Sequence, residues 1–441
     1  MKLRLKIPSV IAILSISLAT SAQSVYGLKE CIGIGLEKNF SILIAKNSQV
    51  ISDNNYSIGN AGYLPTVGVT GRYSGASSNN TQNMKDGTQT TTTGTLSNSV
   101  NGAATLNMTI FNGFSVQTTY KKLNELKQIG ELNTQLSIES YIASIVSVYS
   151  GYIQQLQQLS NLEYAVELSR ERLRIDEDRY LSGSGSKLQV LQSQVYLNTD
   201  SSRYTRQVQA VWETHIRLNE LMAMENIGEN FELADTTITV NPTLVYEKLL
   251  EETLAINTSL QIASKNRIIS EYDYKLATSK AYPYLDLNGG YGLNFSTNST
   301  ATYKNQINSG PTFGLTMGVT IFDGYNIRRQ IRNSSIEIRN KELKYAEIEQ
   351  GIRADLLAIY SGYISNLNLI KMEEQNLETA TENLSIALYR YKLGNLSGID
   401  LREVQKSLLD AKERLLTVQY QAKLAEISLL QISGRIMSYY Q

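Results

Sequence analysis

The sequence predicts a mainly α protein with a transmembrane β portion, built as two tandem copies of one unit. Three observations predict it. A hexapeptide, TIFNGF at 109–114, returns as TIFDGY at 320–325. Ahead of each copy, apolar and polar residues alternate with period two over about ten residues, the pattern of a membrane β-strand. Behind each copy, apolar residues recur with period seven over dozens of residues, the pattern of a long coiled helix.

Residues 1–22 read as a signal peptide and stand apart from the fold. Lys2, Arg4 and Lys6 form a basic stretch, Val10 to Leu18 an apolar one, and Thr20, Ser21 and Ala22 a small-residue cleavage site. The apolar run is too short to span about 30 Å of hydrocarbon, so it predicts export rather than an anchor.

The duplication is exact in register over eighty residues. Gly113 and Gly324 lie 211 apart, and the same offset aligns YSGYI at 149–153 with YSGYI at 360–364, Tyr180 with Tyr391, Gly183 with Gly394 and Ser186 with Ser397. The first copy is assigned to 23–226 and the second to 244–441, with 227–243 as a linker. Each copy begins with a helix, at about 28–61 and 244–281, which stops before Pro65 or Pro283. A β-hairpin follows, at 63–111 and 284–322. The Ser/Thr/Asn-rich stretch within Ser74 to Val100 is expected as a solvated loop. Gly113 and Gly324 are read as strand-to-helix junctions, where a residue without Cβ lets the backbone change direction.

Past the junction, Leu356, Tyr363, Ile370, Leu377, Leu384 and Tyr391 form a seven-residue stripe on a helix from about 325 to 392, roughly 100 Å long at 1.5 Å per residue. Leu401, Val404, Leu408, Ala411 and Leu415 open a matching seam on the closing helix. Turns at 181–187 and 393–398 carry Gly183 and Gly394 followed by the N-cap residues Ser186 and Ser397, so each helix pair should fold back antiparallel at a tip.

Composition excludes several functions. Basic and acidic residues balance at 41 each, which argues against a nucleic-acid partner. Cys31 is the only cysteine, so no disulfide within the chain can form, and it reads as a small apolar helix residue. His215 is the only histidine, and no metal-ligand spacing, phosphate loop or nucleophile-base pair is present. The chain is therefore expected to be no enzyme and to need no metal or cofactor. Four membrane strands cannot close a barrel, and open strand edges cannot sit in lipid, so several chains must pool their hairpins if the strands are membrane strands.

The duplicated junction and the tip pattern Tyr391-x-x-Gly394-x-x-Ser397-x-x-Asp400, with its shorter first copy Tyr180-x-x-Gly183-x-x-Ser186, resemble the TolC-like outer-membrane factor family. The resemblance implies a trimeric α/β-barrel duct: a homotrimer whose pooled strands span the outer membrane of a Gram-negative bacterium and whose helices extend into the periplasm. Outer-membrane lipid, a periplasmic adaptor (membrane fusion) protein and an inner-membrane transporter of RND or ABC type are the implied partners. The implied function is the passive exit duct of a tripartite efflux pump or type I secretion system. It also implies that 227–243 and the tail after Ile436 form an equatorial belt. Adaptor docking falls on the tips at Gly183, Ser186, Gly394 and Ser397, and the pore entrance or gate on Asp400, Glu403, Tyr391 and Gln189. Gln189 stands where an acidic partner can occur, and Leu396 where a basic lock residue is known.

Two rival readings compete. A soluble or surface coiled-coil scaffold or adhesin would use the hairpins as caps and fractionate without detergent. An autonomous porin would leave about 100 Å of helix without purpose.

Overall fold

The computed structural model describes residues 24–299 and 301–440, and the expected signal peptide lies outside them. The first copy runs β1 (Ser24–Tyr26), α1 (Leu28–Lys38), α2 (Phe40–Asn55), α3 (Ile58–Ala61), β2 (Thr66–Asn83), β3 (Gln89–Asn112), α4 (Ser115–Leu181) and α5 (Lys187–Leu221). The linker holds β4 (Phe231–Leu233), which pairs in parallel with β1. The second copy runs α6 (Tyr246–Ile256), α7 (Thr258–Ser279), β5 (Tyr284–Asn298), β6 (Gln306–Gly318), α8 (Asn326–Lys392) and α9 (Gly398–Ile432), and a 3₁₀ turn covers Ile436–Tyr439.

The opening helix of each copy is broken where the sequence predicts it continuous. Asn39 adopts φ −62°, ψ 125°, and its Oδ1 accepts from the Ser41 amide at 3.0 Å, which starts a new helix. Its Nδ2 donates to the Leu221 carbonyl at the end of α5, at 2.9 Å. Asn257 repeats the device, accepting from the Leu260 amide at 3.1 Å and donating to the Ile432 carbonyl at 2.8 Å. One side chain thus opens a helix and closes another, which local helix propensity cannot reveal.

The four long strands form one antiparallel sheet in the order β2-β3-β5-β6, with β2 and β6 as open edges. One face carries Val67, Val69, Tyr73, Leu106, Tyr291, Phe295, Phe313, Leu315 and Met317, and Phe313 is 90% exposed. The other carries Thr, Ser, Asn and Gly. Outward residues of β5 run from Leu285 to Leu287 and on to Phe295; at about 3.3 Å per residue and a tilt of about 40°, they span about 25 Å of height, the apolar band of an outer-membrane barrel.

Two strand expectations need correction. The stretch within Ser74 to Val100 is not a loop: β2 and β3 stay paired from Ser74↔Ser99 to Asn83↔Gln89, leaving residues 84–88 as the turn. Backbone pairing does not require apolar side chains, and cross-strand contacts such as Ser74 Oγ to Ser99 Oγ at 2.8 Å support it. The second hairpin stops at Gly318, short of 322, because β5, the one strand beside β6 among the described residues, begins opposite it at Tyr284.

The hexapeptide therefore ends a strand in the first copy and follows one in the second, yet both copies turn alike. Gly113 and Phe114 have φ of +53° and +63°, and Gly324 and Tyr325 have +70° and +65°. A Cβ on Gly113 would lie 2.5 Å from the Ser279 carbonyl oxygen, so that position admits only glycine. The aromatic after each glycine packs edge-to-face on the hexapeptide's phenylalanine: Phe111 with Phe114 at 5.2 Å, Phe322 with Tyr325 at 5.4 Å, both at 87°.

The helices pack as two antiparallel pairs, α4 with α5 and α8 with α9, and α4 also touches α9 to join the copies. With 67 residues each, α4 and α8 reach about 100 Å. Midway, Cys31, Ile142, Ile145, Tyr149, Leu218 and Phe231 form the main core. Burial pushes the Cys31 thiol up to about 12, in keeping with an inert core residue. His215 is buried there too, stacked on Phe231 at 4.5 Å and beside the Tyr152 hydroxyl at 3.2 Å. Linker and tail converge nearby: the Glu426 carboxylate accepts from the Asn241 amide at 2.9 Å and the Tyr439 hydroxyl at 2.7 Å. Among the described residues, no helix is long and apolar enough to cross a membrane.

Candidate functional site at the helical tips

The two tips share one turn chemistry. Ser186 Oγ accepts from the Gln189 amide at 3.3 Å while Gln189 Oε1 accepts from the Ser186 amide at 2.9 Å, a capping box. Ser397 Oγ accepts from the Asp400 amide at 3.1 Å and donates to its Oδ2 at 2.7 Å. Gln189 is thus engaged in starting α5, and the Asp400 carboxylate favours the amino end of α9. Gly183 and Gly394 sit at φ +78° and +80°, and a Cβ on either would meet nothing within 4 Å. Between the tips lies a groove of about 800 Å³, lined among others by Arg179, Gln189, Tyr391, Gly394, Ser397 and Asp400. Asp400 and Glu403 are exposed, three residues apart on one helix.

Equivalent tyrosines have opposite fates. Tyr180 is 44% exposed, while Tyr391 is 2% exposed and locked across the copies. Its hydroxyl donates to Asp176 Oδ1, its carbonyl accepts from Arg179 Nη2, and the Arg179 guanidinium lies 4.6 Å from its ring centre. Burial, then the bond to the Asp176 carboxylate, pushes the Tyr391 phenol up to about 12. Ser193 Oγ on α5 also donates to Asp176.

A second clasp lies beside the first. Arg402 on α9 donates to Asp200 on α5 through both terminal nitrogens, at 2.7 and 2.9 Å, and Ser169 Oγ donates to the same carboxylate at 2.5 Å. The Asp200 carboxylate holds the Arg402 guanidinium above its ordinary range. The Arg172 and Arg402 guanidinia both lie near the Tyr196 ring, at 4.8 and 5.0 Å. Gln405 is buried and its amide finds no hydrogen-bond partner among the described residues, whereas its equivalent Gln194 donates to Asn198 at 3.0 Å.

Of the residues singled out in the sequence, Tyr391, Gln189, Gly394, Ser397 and Asp400 meet around one groove. Gly113 and Gly324 lie at the far ends of the long helices. Asp176, Asp200, Arg172, Arg179, Tyr196 and Arg402 were not singled out. A signal existed: buried positions 165, 169, 172 and 176 of α4 keep the coil spacing but hold Ser, Arg and Asp beside Ala.

A sheet with a lipid-type apolar face and open edges, joined twice to helices of about 100 Å, defines a class: subunits of an outer-membrane duct with a helical extension. The chain belongs to the outer membrane efflux protein family, whose model matches residues 32–223 and 249–435. It is an outer-membrane protein whose helices extend into the periplasm. It is 24% identical to outer membrane protein TolC of Vibrio cholerae over 200 residues, covering 43% of this chain and 44% of that relative, so the match spans under half of the relative's length. Its fold resembles the outer membrane protein VceC of Vibrio cholerae, with TM-score 0.74 and 15% identity over 92% of this chain and 96% of that one. The Campylobacter jejuni CmeC outer membrane channel gives TM-score 0.70 and 17% identity over 92% and 85%.

Proposed function

We propose that three copies of this chain pool their four-stranded sheets into one barrel and form a passive exit duct. The observation that carries this reading is the sheet itself, whose apolar face suits lipid while β2 and β6 are left unpaired at its edges. Pairing β6 of one copy with β2 of the next gives twelve strands, closes every edge and places the Thr/Ser/Asn/Gly face around a wet lumen. The helices continue the duct through the periplasm. Their tips receive a periplasmic adaptor, and an inner-membrane transporter supplies the energy, as in a tripartite efflux pump or type I secretion system. No enzyme activity, metal or cofactor is assigned to the chain. In the resting duct the Tyr391–Asp176 and Arg402–Asp200 clasps hold the second copy's coil against the first, and Asp400 and Glu403 line the narrowed entrance. Native mass spectrometry in detergent tests the assembly: a trimer is expected, and a stable monomer that inserts into lipid would sink it.

A further inference from the structure

The four strands carry two charged residues, Arg72 and Asp286. Both lie on the polar face. Arg72 pairs with Asn101, which pairs with Asn294, which pairs with Asn308, so one row across the sheet reads Arg-Asn-Asn-Asn. Asn294 Nδ2 donates to Asn101 Oδ1, tying the row together. The adjoining row towards the helices is Thr70, Ala103, Gly292 and Gly310, and there the sheet has a depression of about 340 Å³ overlooked by the three asparagines. Long donor side chains therefore stand over a row with little side chain. Arg72 is exposed and, among the described residues, has no ion pair. It lies beside Tyr73, the last large apolar residue on the opposite face of β2, and so at the outer boundary of the apolar band. Asp286 lies at the other boundary, beside Leu285, near the helices.

We infer that Arg72 is the anion-binding element of a ring at the outer mouth of the duct, taking multivalent oxyanions such as polyphosphates or polycarboxylates. The inference rests on the trimeric reading, since one chain supplies one guanidinium. Threefold symmetry sets the three Arg72 side chains at one height, with an asparagine row leading obliquely from each. Twelve strands about 4.8 Å apart and tilted about 40° close at a radius of roughly 12 Å. An arginine reaching about 6 Å inward leaves each guanidinium roughly 6 Å from the axis. That is inside the Debye length of about 8 Å at physiological salt, so the field of the ring covers the lumen. Arginine and asparagine donors both suit oxyanions, and no carboxylate occurs in the row to cancel them.

The test is block of single-channel current by sodium tripolyphosphate added to the extracellular side of the full-length protein in planar bilayers. Block of the parent is expected, with Arg72→Gln weakening it roughly 1,000-fold, from three charges about 6 Å from a blocker of charge about −4 with Debye screening. Arg72→Lys should keep most of the block. Asp400→Asn with Glu403→Gln should leave it unchanged, because those residues lie at the opposite end. A trimer that conducts and is blocked equally with Arg72→Gln overturns the ring alone. Failure of the parent to form trimers overturns the assembly, and the ring with it.

Discussion

Replacing Tyr391 with Phe removes one hydroxyl from a site where the side chain is 2% exposed, and so isolates the clasp between the two copies. The lost hydrogen bond is charge-assisted and buried, and among the described residues Asp176 keeps Ser193 Oγ as its one hydrogen-bond donor, with the Arg172 guanidinium 3.8 Å away. Such a bond contributes about 2 kcal/mol. If it exists only in the closed tip, its loss shifts the closed-to-open ratio about 30-fold per protomer. Single-channel recording should show longer and larger openings, with trimer yield unchanged because the phenyl ring still fills its site. A double-mutant cycle with Asp176→Asn should show strong non-additivity. The parent should also respond to pH. The phenol is raised from its ordinary value near 10 to about 12, so its contribution is complete below pH 10 and is lost as pH climbs through about 12. The Phe variant should lack that alkaline opening. Parent-like dwell times in Tyr391→Phe, in intact trimers, would refute the clasp as a determinant of closure.

Two further outcomes follow from the tip. Asp400→Asn with Glu403→Gln removes two carboxylates per chain while preserving shape, so cation preference and periplasmic-side block by multivalent cations should both fall; unchanged reversal potentials would leave these residues as a solvated helix face. Tryptophan at both Gly183 and Gly394 meets no atom within 4 Å of its Cβ, so the cost within the chain is the positive φ, about 1–2 kcal/mol per site. Trimer yield should survive while export fails, because the added bulk meets only a docked adaptor; normal export in this variant would remove the tips from docking.

The sequence by itself determined what depends on local pattern and on its repetition. Period-two alternation ending in TIFNGF, heptads beginning after it and the 211-residue offset are all local or internal comparisons, so they led to strands, to long helices and to a change of backbone direction expected at Gly113 and Gly324, whose φ angles are positive. Only the tertiary structure decided what depends on a partner distant in the chain. Asn39 breaks a helix because Leu221, 182 residues away, needs a donor for its carbonyl. Ser74 to Asn83 is a strand because β3 lies alongside, and 319–322 is not one because β5 begins opposite Gly318 and, among the described residues, no strand pairs beyond it. Tyr180 and Tyr391 match in the repeat, yet burial separates them, since only Tyr391 faces a carboxylate from the other copy. Duplication makes two halves of related sequence, and packing those halves against each other is what sets matched residues such as Tyr180 and Tyr391 in different surroundings.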